Sequence, residues 1–161
     1  MPPAPQKPHK AITDPAEISQ ILEKGQVLYL GLCDQGQPYV LPFNYGVAGD
    51  RVYLHTGREG HKFAVLAAND RVSFAVAVQV ELLPGEVACA WECRYKSVVA
   101  FGRAAPVEDP EEIVLGLTAI TRHYAGPGDY DFKPESLARA RVIRIQVEEI
   151  TGKRNFIAPG Y

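Results

Sequence analysis

One short stretch, Tyr53-Leu54-His55-Thr56-Gly57-Arg58-Glu59-Gly60-His61-Lys62, gathers the residue types that hold an anion. Its two glycines let the backbone turn tightly and aim free N–H groups outward, and Thr56 adds a hydroxyl. His61 and Lys62 bring protonatable donors to the same end, where a helix start lined by Gly, Thr and Lys forms a phosphate cradle. A second reading competes on equal terms. Thr56-x-x-Glu59 also fits a capping box, in which the two side chains only satisfy the first N–H groups of the helix. The glycine spacing matches neither the P-loop nor the dinucleotide-binding fingerprint. Cysteine offers less: Cys33, Cys89 and Cys93 are an odd set, Cys89-x-x-x-Cys93 is not the C-x-x-C of zinc or redox sites, and only His123 is free to join it. No metal site is expected.

The elements that must position these groups follow from periodicity. Residues 51–56 alternate as a half-buried strand, and Phe63, Leu66 and Ala67 recur at helical spacing until Asn69-Asp70. Upstream, residues 1–12 form a Pro-rich, flexible arm. Thr13-Asp14-Pro15 starts a helix with an apolar stripe at Ile18, Ile21 and Leu22 that ends at Gly25. Residues 27–33 read as a strand buried on both faces, Asp34-Gln35-Gly36-Gln37 as a turn, and 38–45 as the returning strand. With 51–56 these make a three-strand meander.

Residues 71–80 and 87–107 read as further strands, the second interrupted near Glu92-Cys93-Arg94 and bent or closely approached at Gly102. Asp109-Pro110 opens a helix with Ile113, Leu117, Ile120 and Tyr124 on one side. A helical turn follows near residues 135–139, and a final strand over 140–150 is ended by Gly152-Lys153. Six to seven strands, mostly antiparallel, with capping helices describe a small closed barrel of α+β class, and residues 13–161 form one domain.

Composition narrows the partner. The chain has 161 residues, 17 Lys+Arg against 19 Asp+Glu, which argues against a nucleic-acid footprint or a polybasic membrane patch. No apolar run reaches the ~20 residues that cross a bilayer, and Met1 to Lys10 lacks a signal core, so a soluble, cytoplasmic protein with a small-molecule partner is expected. A chain this short is helped to bury a cofactor by sharing the site within a dimer.

Several fragments in fixed order then resemble a known family. They are Leu28-Tyr29-Leu30-Gly31-Leu32-Cys33-Asp34-x-Gly36-x-Pro38-Tyr39, Pro42-x-Asn44-Tyr45, Tyr53-x-His55-x-Gly57-x-x-Gly60-x-Lys62, Ser97-Val98-x-x-x-Gly102 and Ile150-Thr151-Gly152-Lys153. Together they resemble the FMN-binding split barrels related to pyridoxamine 5′-phosphate oxidase, and within them the nitroimidazole-resistance (NimA-like) subgroup. The resemblance implies a split β-barrel and a flavin-dependent oxidoreductase of nitroreductase-like or oxidase-related type. It also implies a homodimer with FMN at the subunit interface and a small-molecule substrate or electron donor.

Roles are implied residue by residue. Pro42 and Phe43 lie in the strand that runs beside the isoalloxazine ring, with Asn44 and Tyr45 as its polar contacts. His55 and Thr56 correspond to the strand-end pair at the ribityl-phosphate region, and His55 is the candidate catalytic group. His61 and Lys62 match the pair that neutralises the phosphate, and Ser97 hydrogen-bonds the ring edge. The tail from Lys153 to Tyr161 lacks the arginine and histidine arrangement that grips pyridoxal substrates, so pyridoxamine-phosphate oxidation is not expected. The alternative is a non-catalytic barrel for haem or another cofactor, with His55, His61 or His123 as axial ligand and no C-x-x-C-H attachment motif.

Overall fold

The computed structural model describes residues 7–156. One sheet dominates it, with every pairing antiparallel and the order β3-β2-β6-β7-β8-β5-β4, while the two-residue β1 (Ala11–Ile12) pairs with β8. The others are β2 (Leu28–Asp34), β3 (Gln37–Phe43), β4 (Tyr45–Ala48), β5 (Arg51–Thr56), β6 (Arg71–Leu83), β7 (Glu92–Pro106) and β8 (Arg141–Arg154). The seven-strand path agrees with the expected six to seven strands and α+β class, and the barrel is split rather than closed: β3 and β4 stand at opposite ends of the strand order. Inward-facing Leu28, Leu30, Leu54, Phe74, Val76, Val98, Ile143 and Ile145 fill the interior.

Helices close the remaining openings. α1 (Pro15–Lys24) starts where the Asp14 carboxylate accepts from Ala16 N–H at 3.0 Å, and it buries Ile21 and Leu22. α2 (His61–Ala68) buries Val65 and Leu66. α3 (Pro110–Ala125) is capped by Asp109 and lies over the far side of β4, β5 and β8, packing Ile120 against Tyr53, Val107 and Val142. α4 (Pro134–Arg139) leads into β8. Among the described residues no helix is long and apolar enough to cross a membrane.

Three expectations need correction. The meander is not formed: β2 and β3 make the expected hairpin, but β5 pairs with the short β4 and with β8. Between β3 and β4 only Asn44 intervenes, and there the chain crosses from one sheet edge to the other. β2 is buried on one face only, since Leu28, Leu30 and Leu32 are interior while Tyr29 and Cys33 are exposed. Third, β8 does not stop at Gly152-Lys153 but runs through both, because Ile12 packs against Gly152 and Ser97 pairs with Lys153.

The arm expected over residues 1–12 accordingly ends earlier. Residues 1–6 lie outside the described ones, but Lys10 donates from Nζ to Asn155 Oδ1 at 2.7 Å and Ile12 is buried. The close approach read at Gly102 is present: a Cβ there would fall 2.1 Å from the Gln146 carbonyl, beside a bulge that shifts the β7–β8 register. On β3, Pro38 and Pro42 share the exposed face with Val40, and among the described residues β3 forms a ladder with β2 alone.

Candidate functional site

Where the sheet edges part, the end of β5 turns through residues 57–60 into α2. The helix starts at His61, five residues beyond Thr56, so Thr56 belongs to the strand and the capping box is not formed. Gly60 occupies the N-cap position with φ of 138°, a conformation L side chains rarely adopt, and no side chain caps the helix. Phe63 N–H donates back to the Gly60 carbonyl at 3.2 Å, so among the described residues it is the His61 and Lys62 N–H groups that are left for an external acceptor, at the end of the helix that favours negative charge.

Lys62 and His61 gather there. Lys62 Nζ donates to the Glu59 carbonyl at 3.1 Å and lies 4.8 Å from the Phe63 ring centroid, so the ammonium folds back over its own loop. His61 Nε2 lies 2.6 Å from Asp34 Oδ2, and its ring is 5.8 Å from that of Tyr39. Asp34 and Tyr39 were not singled out from sequence, where Asp34 reads only as turn chemistry. They tie the start of α2 to the β2–β3 hairpin.

The other expected residues divide by strand parity. Phe43 ends β3 opposite Leu28, Asn44 is the single residue between β3 and β4, and His55 and Thr56 are the last two residues of β5. Thr56 is buried, Phe43 packs partly into the core, and Asn44 and His55 are exposed. Pro42 faces outward on β3. The side chain of Tyr45 is not available for the polar contact expected of it. It is fully buried, its hydroxyl donates to the Leu22 carbonyl, and its ring lies 4.5 Å from that of His123. Burial first, and the neighbouring Tyr124 hydroxyl second, push its phenol well above the usual tyrosine range.

Ser97 stands apart. It pairs with Ala77 and Lys153 on the outer face of β7, and β7 is separated from β3 by β2 and β6. Three strand spacings amount to about 14 Å along the sheet, so Ser97 does not lie beside β3 within one copy of the chain. Of the cysteines, Cys33 and Cys89 are exposed and Cys93 is half-buried. The tail lies outside the described residues from 157 onward.

Comparison with known proteins adds a family match and three similar structures. Residues 14–154 match the sequence model of the pyridoxamine 5′-phosphate oxidase family. A candidate 5-nitroimidazole antibiotic resistance protein from Bacteroides thetaiotaomicron is 30% identical over 89% of this chain and 86% of its own, with a TM-score of 0.78. The flavocytochrome Anf3 from Azotobacter vinelandii shares 20% identity over 96% of this chain and 73% of its own, with a TM-score of 0.80. A FAD and heme binding protein from Mycobacterium smegmatis shares 17% identity over 94% and 76%, also with a TM-score of 0.80. At such identities the last two show the fold alone. No curated protein matches the chain.

Proposed function

The chain belongs to the pyridoxamine 5′-phosphate oxidase family, and on that premise we propose that it is a flavoprotein oxidoreductase that holds FMN in the crevice between β3, the end of β5 and the start of α2. The observation that carries this reading is the uncapped α2 terminus with Lys62 beside it: open N–H donors and an ammonium fit a phosphate. His61 shares that end, held by Asp34. Asn44 and His55 present exposed polar groups next to the crevice, and Pro42 and Phe43 give the β3 edge an apolar lining. Bound FMN supplies the electron transfer, while the chain binds, orients and shields it.

The active form is a homodimer. Ser97 reaches a crevice only if a second copy supplies it, and the outer sheet face around it is apolar. Tyr29 is 53% exposed and Val99 41%, and Trp91 at the nearby hairpin tip is 57% exposed. The haem alternative is weaker here, because His123 Nε2 donates to the Gly25 carbonyl at 2.6 Å and His61 Nε2 is taken by Asp34, leaving His55.

The absorption spectrum of the purified protein tests the reading, with light scattering for mass. Paired flavin bands in a dimer are the expected result. A Soret band without them would replace it with haem binding, and a monomer that keeps its flavin would end the shared site.

A further inference from the structure

A recess of about 470 Å³ opens on the outer face of the sheet over β2, β3, β6 and β7, with Asn69 past the end of α2 and Glu148 of β8 at its margin, the Glu148 carboxylate being engaged by Arg103. Arg71 lines it and stands directly opposite Arg103 in the β6–β7 ladder. Like charges at opposed positions on one face repel, and the chain compensates only one of them. Arg103 donates through Nη1 to both Asp70 carboxylate oxygens at 2.8 and 3.0 Å and through Nε to Glu148 at 3.1 Å. These partners, Asp70 first, hold its guanidinium above the usual arginine range. The Arg71 guanidinium has no hydrogen-bond or ion-pair partner among the described residues; what Arg71 shares with Asn69 is its backbone N–H.

The rest of the recess suits a flat ligand. Phe101 and Ser73 are paired across the ladder and both line it. Ser73 Oγ would lie 2.8 Å from a Cβ at position 31, so Gly31 is what keeps that hydroxyl open to the recess. We propose that the recess binds a small planar carboxylate. The fork of Arg71 meets the two carboxylate oxygens, the Ser73 hydroxyl donates a further hydrogen bond, and Phe101 carries the flat body of the ligand. One cation suits a monoanion better than a phosphate dianion, and neutralising Arg71 relieves its repulsion with Arg103. The inference does not depend on flavin.

The test is a calorimetric titration of the full chain with benzoate, inorganic phosphate and benzyl alcohol, repeated by NMR to locate the shifts. Benzoate should saturate, with phosphate and benzyl alcohol each about tenfold weaker or more, as expected when one charge-assisted contact or the ring is missing. Arg71→Gln should weaken benzoate by about tenfold or more, Phe101→Leu should weaken it by less while keeping the core volume, and Arg71→Lys should recover only part. Lys62→Ala should leave benzoate unchanged, which separates this site from the FMN crevice. No saturable benzoate binding, equal binding to Arg71→Gln, phosphate binding tighter than benzoate, or shifts gathered at His61 and Lys62 would each overturn the proposal.

Discussion

The α3 side of the barrel and the α2 side use the same residue types to opposite ends. Beneath α3, the Tyr45 hydroxyl donates to Leu22, the Tyr124 hydroxyl to Gln26 at 2.8 Å and His123 to Gly25. Glu112 accepts from Arg51, Arg144 and the Tyr53 hydroxyl. Burial, above all, raises the Tyr53 phenol. Around α2, by contrast, and among the described residues, the helix start has no side-chain cap, Lys62 hydrogen-bonds only to its own loop, and His61 has Asp34 as its one hydrogen-bond partner. A histidine or tyrosine is structural where every polar atom is paired inside the protein, and available for chemistry where the pairing is left incomplete.

The comparison breaks most severely at Tyr45. Tyr45→Ala removes a fully buried ring and should cost about 3–5 kcal/mol of stability, read as a shifted urea midpoint at unchanged slope. A loss below about 1 kcal/mol would mean that the α3 side is not the packed region described, since deletion of a buried aromatic rarely costs so little.

On the α2 side the expected effect is on ligand and not on fold. Lys62→Ala should weaken FMN binding by roughly ten- to a hundredfold, from one charge-assisted hydrogen bond of about 1.5–3 kcal/mol. Riboflavin, which lacks the phosphate, should bind both proteins alike in the same fluorescence titration. Equal losses for the two ligands would make Lys62 a structural residue like those beneath α3.

The smallest effect sharpens the contrast through pH. The folded-state pKa of Tyr45 lies above its unfolded value, so the folded chain holds that proton more tightly. The associated stability is fully present below about pH 10 and is lost as pH climbs toward the folded pKa, by up to about 1.4 kcal/mol per pH unit. Tyr53 shifts in the same direction and adds to the slope. Tyr45→Phe should give up about 1 kcal/mol at neutral pH, with the hydrogen bond to Leu22, and then fall less steeply than wild type in alkaline urea melts. Parallel curves would show that Tyr45 does not contribute to the alkaline loss.

Much of this was legible in local chemistry. Asp14 before Pro15 reads as a cap and is one, and Gln35 and Gly36, with φ of 50° and 91°, make the tight turn that Asp34-Gln35-Gly36-Gln37 promises. Gly102 marks a close approach because only a missing Cβ fits beneath the Gln146 carbonyl. What local pattern does not carry is partnership. Residues 38–45 read as one continuous strand, and nothing at Asn44 announces that the chain changes sheet edge there. The resemblance implies Tyr45 at the site, but its burial depends on α3 and on Leu22, both distant in sequence. Arg71 reads only as the first residue of the strand after the Asn69-Asp70 helix stop, because the Asp70–Arg103 bond joins residues distant in sequence.

The two prolines of β3 bear on how the molecule behaves at high concentration. Pro38 and Pro42 stand opposite Cys33 and Tyr29 without an N–H to give, so they occupy positions whose backbone groups point away from β2. The free side of β3 thus lacks two of the donors with which an intruding strand would zip. The barrel can remain split without its β3 edge becoming a template for edge-to-edge aggregation.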